Sequence, residues 1–408
     1  MKVGILTYHW VANFGANLQT LSTINYLIKR GDEPIVINWI PEDLENIYNK
    51  SITSEQIIVH KEFAEQFYTV TKICRNSVEI ADEIRSNQIG FVIVGSDAVL
   101  AYIPVLERFK LSKRGLWYYK QAIDSDFPNS FWGDFISLTS KVPVALMSAS
   151  AQHTKFHLIR SNSRKKEFNN ALSQFSFISV RDIWTKKMVN YLTNNTIDPA
   201  ITPDPVFAFN YNHPIYFTKE QIRKKFNLPK KYILFSAPPE ILKDDWIFHI
   251  QKLFLNEGYT SIELPKPSGF QNMILNDKIF LPISPLEWYY LIKYSGGYIG
   301  ELMHPILVSL HNSVPFFSFD TYGFKRGGKM KFESSKIFHI LSKYDFLDHY
   351  YSVVHHDKFP TPPEVYNAIK YFDFKKCEEK SVMMYDEYKQ MMEELFKHSK
   401  SPMEKEIN

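Results

Sequence analysis

The sequence lacks most of the features by which a function is read at sight. It holds only two cysteines, Cys74 and Cys377, far apart and without Cys or His neighbours at metal-ligand spacing. Neither a disulfide framework nor a zinc site is indicated, and a reducing, cytoplasmic compartment fits best. No sign of charge dominates: the formal net charge is +4 over 408 residues, so nucleic acid is not an expected partner. The short basic clusters Arg164-Lys165-Lys166, Arg223-Lys224-Lys225 and Lys325-Arg326 suit a solvated face as readily as an anion site. Long hydrophobic runs are missing too. The most apolar window, Phe91 to Leu106, contains Asp97 and Pro104 and falls short of the run of about 20 residues that a membrane helix needs. The opening MKVGILTYHW is too short an apolar run for a signal peptide, so the expectation is a chain not marked for export. No His-rich spacing points to a required metal, and none is expected.

What is present is ordinary globular material in quantity. Apolar residues make up 45% and charged residues 23%, and 408 residues exceed what one core usually serves, so two domains are expected. Apolar runs and amphipathic segments alternate. A strand over 2–8, a loop VANFGAN, a helix from Leu18 to Lys29 closed by Gly31, and a strand over 34–39 make a β-loop-α-β unit with a parallel sheet implied. Further strands follow at 90–96, 143–149 and 177–182. The aromatic and proline-rich stretch 98–137 has no clear period and reads as an irregular insertion that could shape a cleft. The Pro-rich segment 202–214 marks a boundary, after which the alternation restarts: strand 231–236, helix 243–256, strand 260–264, helix 284–294, strand 297–300, helix 305–312 and strand 315–319. The helix after Ser284 opens with SPLE, a capping box with proline at the first helical position. The expected domains are 1–205, 206–350 and a helical extension 351–408, whose long helix over 372–397 would pack across a domain face. The expected fold is α/β, with two Rossmann-like domains facing each other across a cleft and a crossing C-terminal helix.

Several motifs point further. The opening GILTYHWVANFGANLQTLSTINYLIKRGDEPIVIN, the turn FVIVGSDAVL, then SASAQ, SVRD and YIGELMHPILVSLHNSVPFF stand in this order along the chain. In that order they resemble the motifs of the polysaccharide pyruvyl transferase family, with Arg181 in the arginine position and His304 as the motif histidine. The chain departs from the family pattern at Ala98, Leu100, Ala151, Gln152, Leu302 and Pro305.

The resemblance implies a transferase that moves pyruvate from phosphoenolpyruvate to two hydroxyls of one sugar, forming a cyclic ketal in capsule or exopolysaccharide assembly. Phosphoenolpyruvate would be a co-substrate and no other cofactor is expected. The acceptor would be a lipid-linked or nucleotide-linked sugar, which leaves room for peripheral association with a membrane. Such chemistry asks for a general acid, and His304 at a turn leading into a helix suits it, where free N–H groups also favour an anion; a ring that merely caps or packs that helix is the alternative. An anionic donor asks for a planar cation, and Arg181 just past a strand end is the choice, against a surface ion pair with Asp182. Lys325 and Arg326 in the glycine-flanked loop FKRGGK could close over an anion or stay solvated. Asn13, Gly15 and Asn17 sit at the first strand-to-helix turn; the single glycine departs from GxGxxG, so NAD is not expected. Ser96 and Asp97 end a strand, and Asp97 could hold sugar hydroxyls or cap the next segment. Glu301 could orient His304, accept a proton from a sugar hydroxyl, or simply sit at a helix start. Two other readings compete: a glycosyltransferase of the same architecture that uses a sugar nucleotide, and a non-catalytic relative that binds glycans through the cleft.

Overall fold

A computed structural model describes residues 1–111, 115–119, 123–139, 142–270, 275–326, 329–355 and 358–399. Two six-stranded sheets carry the chain. The first is built from β1 (Lys2–Leu6), β2 (Glu33–Val36), β3 (Phe91–Asp97), β4 (Val144–Ala149), β5 (Phe177–Val180) and β6 (Ala200–Ile201), in the order β2-β1-β3-β4-β5-β6. The second uses β7 (Tyr232–Ser236), β8 (Thr260–Glu263), β9 (Asp277–Lys278), β10 (Tyr298–Gly300), β11 (Phe316–Asp320) and β12 (Tyr350–Ser352), in the order β9-β8-β7-β10-β11-β12. Neighbouring strands pair parallel throughout both sheets. Their strands therefore read as near-continuous apolar runs, because helices cover both faces: Phe91, Val92, Ile93 and Val94 of β3 are all fully buried.

In each sheet the chain works outward on one side and then crosses to the other, which leaves a switch point between β1 and β3 and another between β7 and β10. Open parallel sheets bind ligands at the carboxyl ends of the strands beside such points. Here the two switch points face each other across a cleft, the GT-B-like arrangement of two Rossmann-like domains.

Helix α1 (Phe14–Arg30) begins a turn earlier than the apolar period suggests. Asn13 is its N-cap, its Oδ1 accepting from Gly15 N at 3.0 Å and Ala16 N at 3.3 Å. The segment NFGAN is thus a cap and a first helical turn instead of a loop. The capping box at Ser284 is present, and α2 spans Pro285–Lys293. Helix α3 (Met303–His311) follows β10, and α4 (Lys336–Tyr344) lies between β11 and β12.

The halves meet in a shared core. Phe14 of α1 stacks on Trp288 of α2 with centroids 5.1 Å apart. Gln56 reaches across to Ile283, donating to its carbonyl at 2.8 Å and accepting from its N–H at 2.9 Å. The last helix, α5 (Phe374–Lys397), ties both ends together. Its Cys377 Sγ and Ser381 Oγ donate to Leu310 O of α3 at 3.1 and 2.8 Å, while Tyr388 and Phe396 pack on Tyr26 and Phe91 of the first domain. Among the described residues no helix is long and apolar enough to cross a membrane.

Candidate functional site

A cavity of about 400 Å³ opens between the carboxyl ends of the two sheets. The first domain lines it with the Asn13–Gly15 turn after β1, Asp97 at the end of β3, Gln152 and His153 after β4, and Arg181 after β5. The second supplies Lys266 and its flanking prolines after β8, Leu302, Met303, His304 and Pro305 after β10, Tyr322 after β11 and Lys336 at the start of α4. Arg181 and His304, from opposite halves, border the same space.

His304 rests on α1. A Cβ placed on Gly15 would lie 2.1 Å from the imidazole Cγ and Nδ1, so only a glycine lets the ring settle against the first turn of that helix. The ring is half-buried, and Nε2 is buried without a hydrogen-bond partner among the described residues. Burial pulls its pKa below the ordinary value of 6.5, Asp204 and Asp97 pull the other way, and Arg181 and Lys336 add to the depression. Helix α3 opens beneath it with no side-chain cap at Leu302. Pro305 has no N–H to leave unpaired, and the uncapped amide end of the helix favours negative charge.

Arg181 is the centre of a buried charge cluster. Its Nη1 donates to Asp204 Oδ2 at 2.5 Å, and Nη2 lies 3.6 Å from Asp97 Oδ1. Nε and Nη2 are buried without a hydrogen-bond partner among the described residues, and a buried unpaired donor costs about 1–3 kcal/mol. Burial works against the guanidinium charge, but Asp204, Asp97 and Asp182 outweigh it and raise the pKa. Asp204 also accepts from Gln19 Nε2 at 2.5 Å and from Val206 N at 2.9 Å; although burial opposes its ionisation, Arg181 and His304 hold its pKa below the usual range. The expected neighbour Asp182 plays a different part: it caps the helix Ile183–Leu192, accepting from Thr185 N at 2.7 Å. Asp97 stands at the cavity with φ +88°, a left-handed conformation that non-glycine residues adopt at a cost and that recurs at functional sites. Gly95 just before it allows the close passage of Met147 O, which would lie 2.4 Å from any Cβ there.

Three of the expected site residues, Asn17, Ser96 and Glu301, sit elsewhere. Asn17 is turned into the core, donating from Nδ2 to His9 O at 2.9 Å and accepting from His60 Nδ1 at 2.7 Å, because it falls in the first turn of α1 instead of in a loop. Ser96 is buried behind the cavity with Oγ on Ser148 O at 3.1 Å, since strand alternation turns it away when Asp97 faces the ligand space. Lys325 and Arg326 lie on a short strand, Phe324–Arg326, paired antiparallel with Lys329–Lys331; the placement of their side chains lies outside what the structure describes. Glu301 is held at the rim by Lys266 Nζ at 2.7 Å and Thr321 Oγ1 at 3.2 Å and does not itself line the cavity.

Sequence reasoning missed Lys336. It is the first residue of α4, with Ser335 as N-cap, where the helix dipole disfavours a cation. Among the described residues it shows no hydrogen bond or ion pair. Burial, then Arg181, pulls its pKa down to about 8. A lysine tolerated in that position against both dipole and burial suits a ligand of opposite charge. His153 was also missed; it stacks on Tyr322 of the other domain at 5.3 Å and walls one side of the cavity. Among the described residues no group of three or more His, Cys, Asp or Glu side chains could hold a metal ion.

The model of a family described as polysaccharide pyruvyl transferase matches residues 13–322, a span that runs from the Asn13 cap through Arg181 and His304 to Tyr322. No curated protein matches the chain. Among solved structures, a UGT of Glycyrrhiza uralensis complexed with glycyrrhetinic acid 3-O-monoglucuronide superposes with a TM-score of 0.50 at 8% identity, covering 98% of this chain and 96% of its own. A second UGT, from Arabidopsis thaliana in complex with UDP-L-rhamnose, gives 0.50 at 9% identity over 98% and 99%. The UDP-GlcNAc 2-epimerase of Neisseria meningitidis gives 0.48 at 11% identity over 96% and 100%. At these identities the first two matches speak for the fold alone.

Proposed function

Because the chain belongs to the polysaccharide pyruvyl transferase family, we propose that it moves pyruvate from phosphoenolpyruvate to two hydroxyls of one sugar, closing a cyclic ketal. The observation that carries this reading is the cavity in which His304, Arg181 and Lys336 converge from both domains. The donor has a carboxylate and a phosphate. Lys336 supplies charge that nothing else described in the protein uses, Arg181 offers two buried N–H donors without partners, and the uncapped start of α3 adds amide dipoles.

His304 is the general acid. Burial holds its pKa below 6.5, so the ring is neutral near pH 7; the arriving anion, acting as a nearby opposite charge, raises it and loads the proton. The imidazole protonates C3 of the enol while one sugar hydroxyl adds to C2. The C2–O bond to phosphate then breaks, and phosphate leaves with the proton of that hydroxyl. The second hydroxyl closes the ring at C2 and its proton returns to His304. Asp97, fixed at the cavity wall, is placed to hold an acceptor hydroxyl, and the stacked His153 and Tyr322 form a flat side for a sugar ring.

Incubation with phosphoenolpyruvate and candidate sugars, following phosphate release and product mass, tests this. Phosphate release that depends on the acceptor is expected, with His304→Ala inactive. Thermal stabilisation by sugar nucleotides but not by phosphoenolpyruvate would overturn it in favour of glycosyl transfer.

A further inference from the structure

The stretch 98–137 carries a two-stranded hairpin, Phe109–Leu111 against Trp117–Tyr119, that belongs to neither main sheet. Its register pairs Phe109 with Tyr119, Lys110 with Tyr118 and Leu111 with Trp117. Side chains alternate between faces along a strand, so Phe109, Leu111, Trp117 and Tyr119 share one face. All four stand in water, exposed by 50%, 58%, 71% and 48%, and Leu116 beside them is exposed by 69%. The other face bears Lys110 and Tyr118. Isolated hairpins are marginal in water, yet this one is anchored at its base. Arg108 grips Asp126 with two hydrogen bonds of 2.7 and 2.8 Å and also holds Tyr119 Oη and Ile103 O.

Charge distinguishes among the partners that could cover such a face. From Phe109 to Lys120 the sequence FKLSKRGLWYYK has four basic and no acidic side chains, whereas the chain as a whole is nearly balanced at +4. Tryptophan and tyrosine mixed with aliphatics and lysines are what the headgroup layer of an anionic bilayer accepts: rings at the boundary, charges among the phosphates. Place supports the same partner. Lys110 borders a groove of about 290 Å³ that shares Gln152 and His153 with the central cavity, so the hairpin stands at an entrance to the site.

We propose that this hairpin is a membrane-interface anchor that docks the protein on an anionic lipid surface. Its apolar face enters the headgroup region, and the four basic residues in the sequence of this segment add long-range attraction to the anionic surface. If the reading of the cavity given above also holds, the docked protein would meet a lipid-tethered sugar at the groove; the docking itself does not depend on that reading.

Flotation of the full chain with vesicles, without donor or acceptor, tests it independently of catalysis. Wild-type protein is expected to float with phosphatidylcholine–phosphatidylglycerol vesicles, to float far less with phosphatidylcholine alone, and to be released by salt. Trp117→Ser with Tyr119→Ser should weaken binding roughly tenfold or more, and Lys110→Glu about fivefold or more. The thermal midpoint and phosphate release with a soluble acceptor are read alongside to show that the variants fold. Wild-type protein that ignores anionic vesicles, or a folded double variant that binds them as wild type does, would overturn the proposal. So would self-association in lipid-free gel filtration that the double variant abolishes, which would make the face a contact between copies.

Discussion

Replacing Gly15 by alanine separates position from stability at the proposed acid. Gly15 is the second residue of α1 and has no left-handed φ, so alanine fits the backbone, and by helix propensity it should stabilise by about 0.5–1 kcal/mol. The obstacle is the His304 ring, whose Cγ and Nδ1 would stand 2.1 Å from the new methyl carbon, where ordinary contact begins at 3.4 Å. The ring must retreat by more than about 1 Å, and a displacement of that size at a reacting group costs on the order of 100-fold. We expect kcat for acceptor-dependent phosphate release to fall by about 100-fold, with the KM for phosphoenolpyruvate changed little, because Lys336 and Arg181 are untouched. The thermal midpoint should stay within a few degrees of wild type. A variant with wild-type kcat would refute the placement of His304 as acid, since its ring cannot remain where it is. A variant that unfolds would instead show that the stack of imidazole on helix is a structural contact.

Lys336→Met should raise the KM for phosphoenolpyruvate by about 30-fold or more with little effect on kcat, and Lys336→Arg should restore most of it; steady-state kinetics decide. Because burial pulls the pKa of the amine down to about 8, donor affinity should fall as pH rises through about 8 in wild type and stay flat in Lys336→Arg. Asp204→Asn removes the partner of a buried guanidinium and should cost about 3–5 kcal/mol in urea unfolding. Stability should also fall with acid: His60, His213 and His311 are buried, with pKa values lowered to about 4, about 4 and about 3, in each case first by burial. A histidine with a depressed folded pKa binds protons more readily when unfolded, so stability is intact above about 6.5 and drains as pH falls toward 4. A thermal midpoint that holds constant from pH 7 to about pH 4 would contradict this.

How far the sequence reveals this molecule depends on whether a feature is local. The parallel sheets were legible because apolar runs such as Phe91–Val94 have no other use, and the start of α2 because Ser284, Pro285 and Glu287 carry their meaning within four residues. The Asn13 cap is equally local, but the apolar period starts the helix at Leu18 and leaves NFGAN as loop; only the packing of His304 shows why a glycine stands inside the helix. That shift moved Asn17 from expected ligand to core. Short strands such as Ala200–Ile201 and Tyr350–Ser352 have too few residues to show a period. Lys336 was invisible for a different reason: a lysine at a helix start has no motif, and its meaning comes from Arg181, Asp97 and Asp204, which reach it from the other domain.

That cross-domain meeting also bears on Leu302, the residue before the first turn of α3. Leu302 offers only its N–H, which donates to Tyr298 Oη at 3.2 Å, so α3 contributes amide dipoles and His304 but no guanidinium. Among the described residues that line the cavity, Arg181 answers Asp204 through Nη1 while its Nε and Nη2 have no hydrogen-bond partner, and Lys266 answers Glu301. Lys336 has no ion pair among the described residues, and it enters from α4, past the end of the matched span at residue 322. A site with no cation on one helix can hold its anion if another element brings one to the same space. The requirement falls on the field at the donor and not on the identity of residue 302. Introducing arginine there should consequently be redundant for donor binding in wild type and restorative in Lys336→Met. If Leu302→Arg left the raised KM of Lys336→Met unchanged, the two positions would not serve one ligand, and the assignment of Lys336 to the donor would fail.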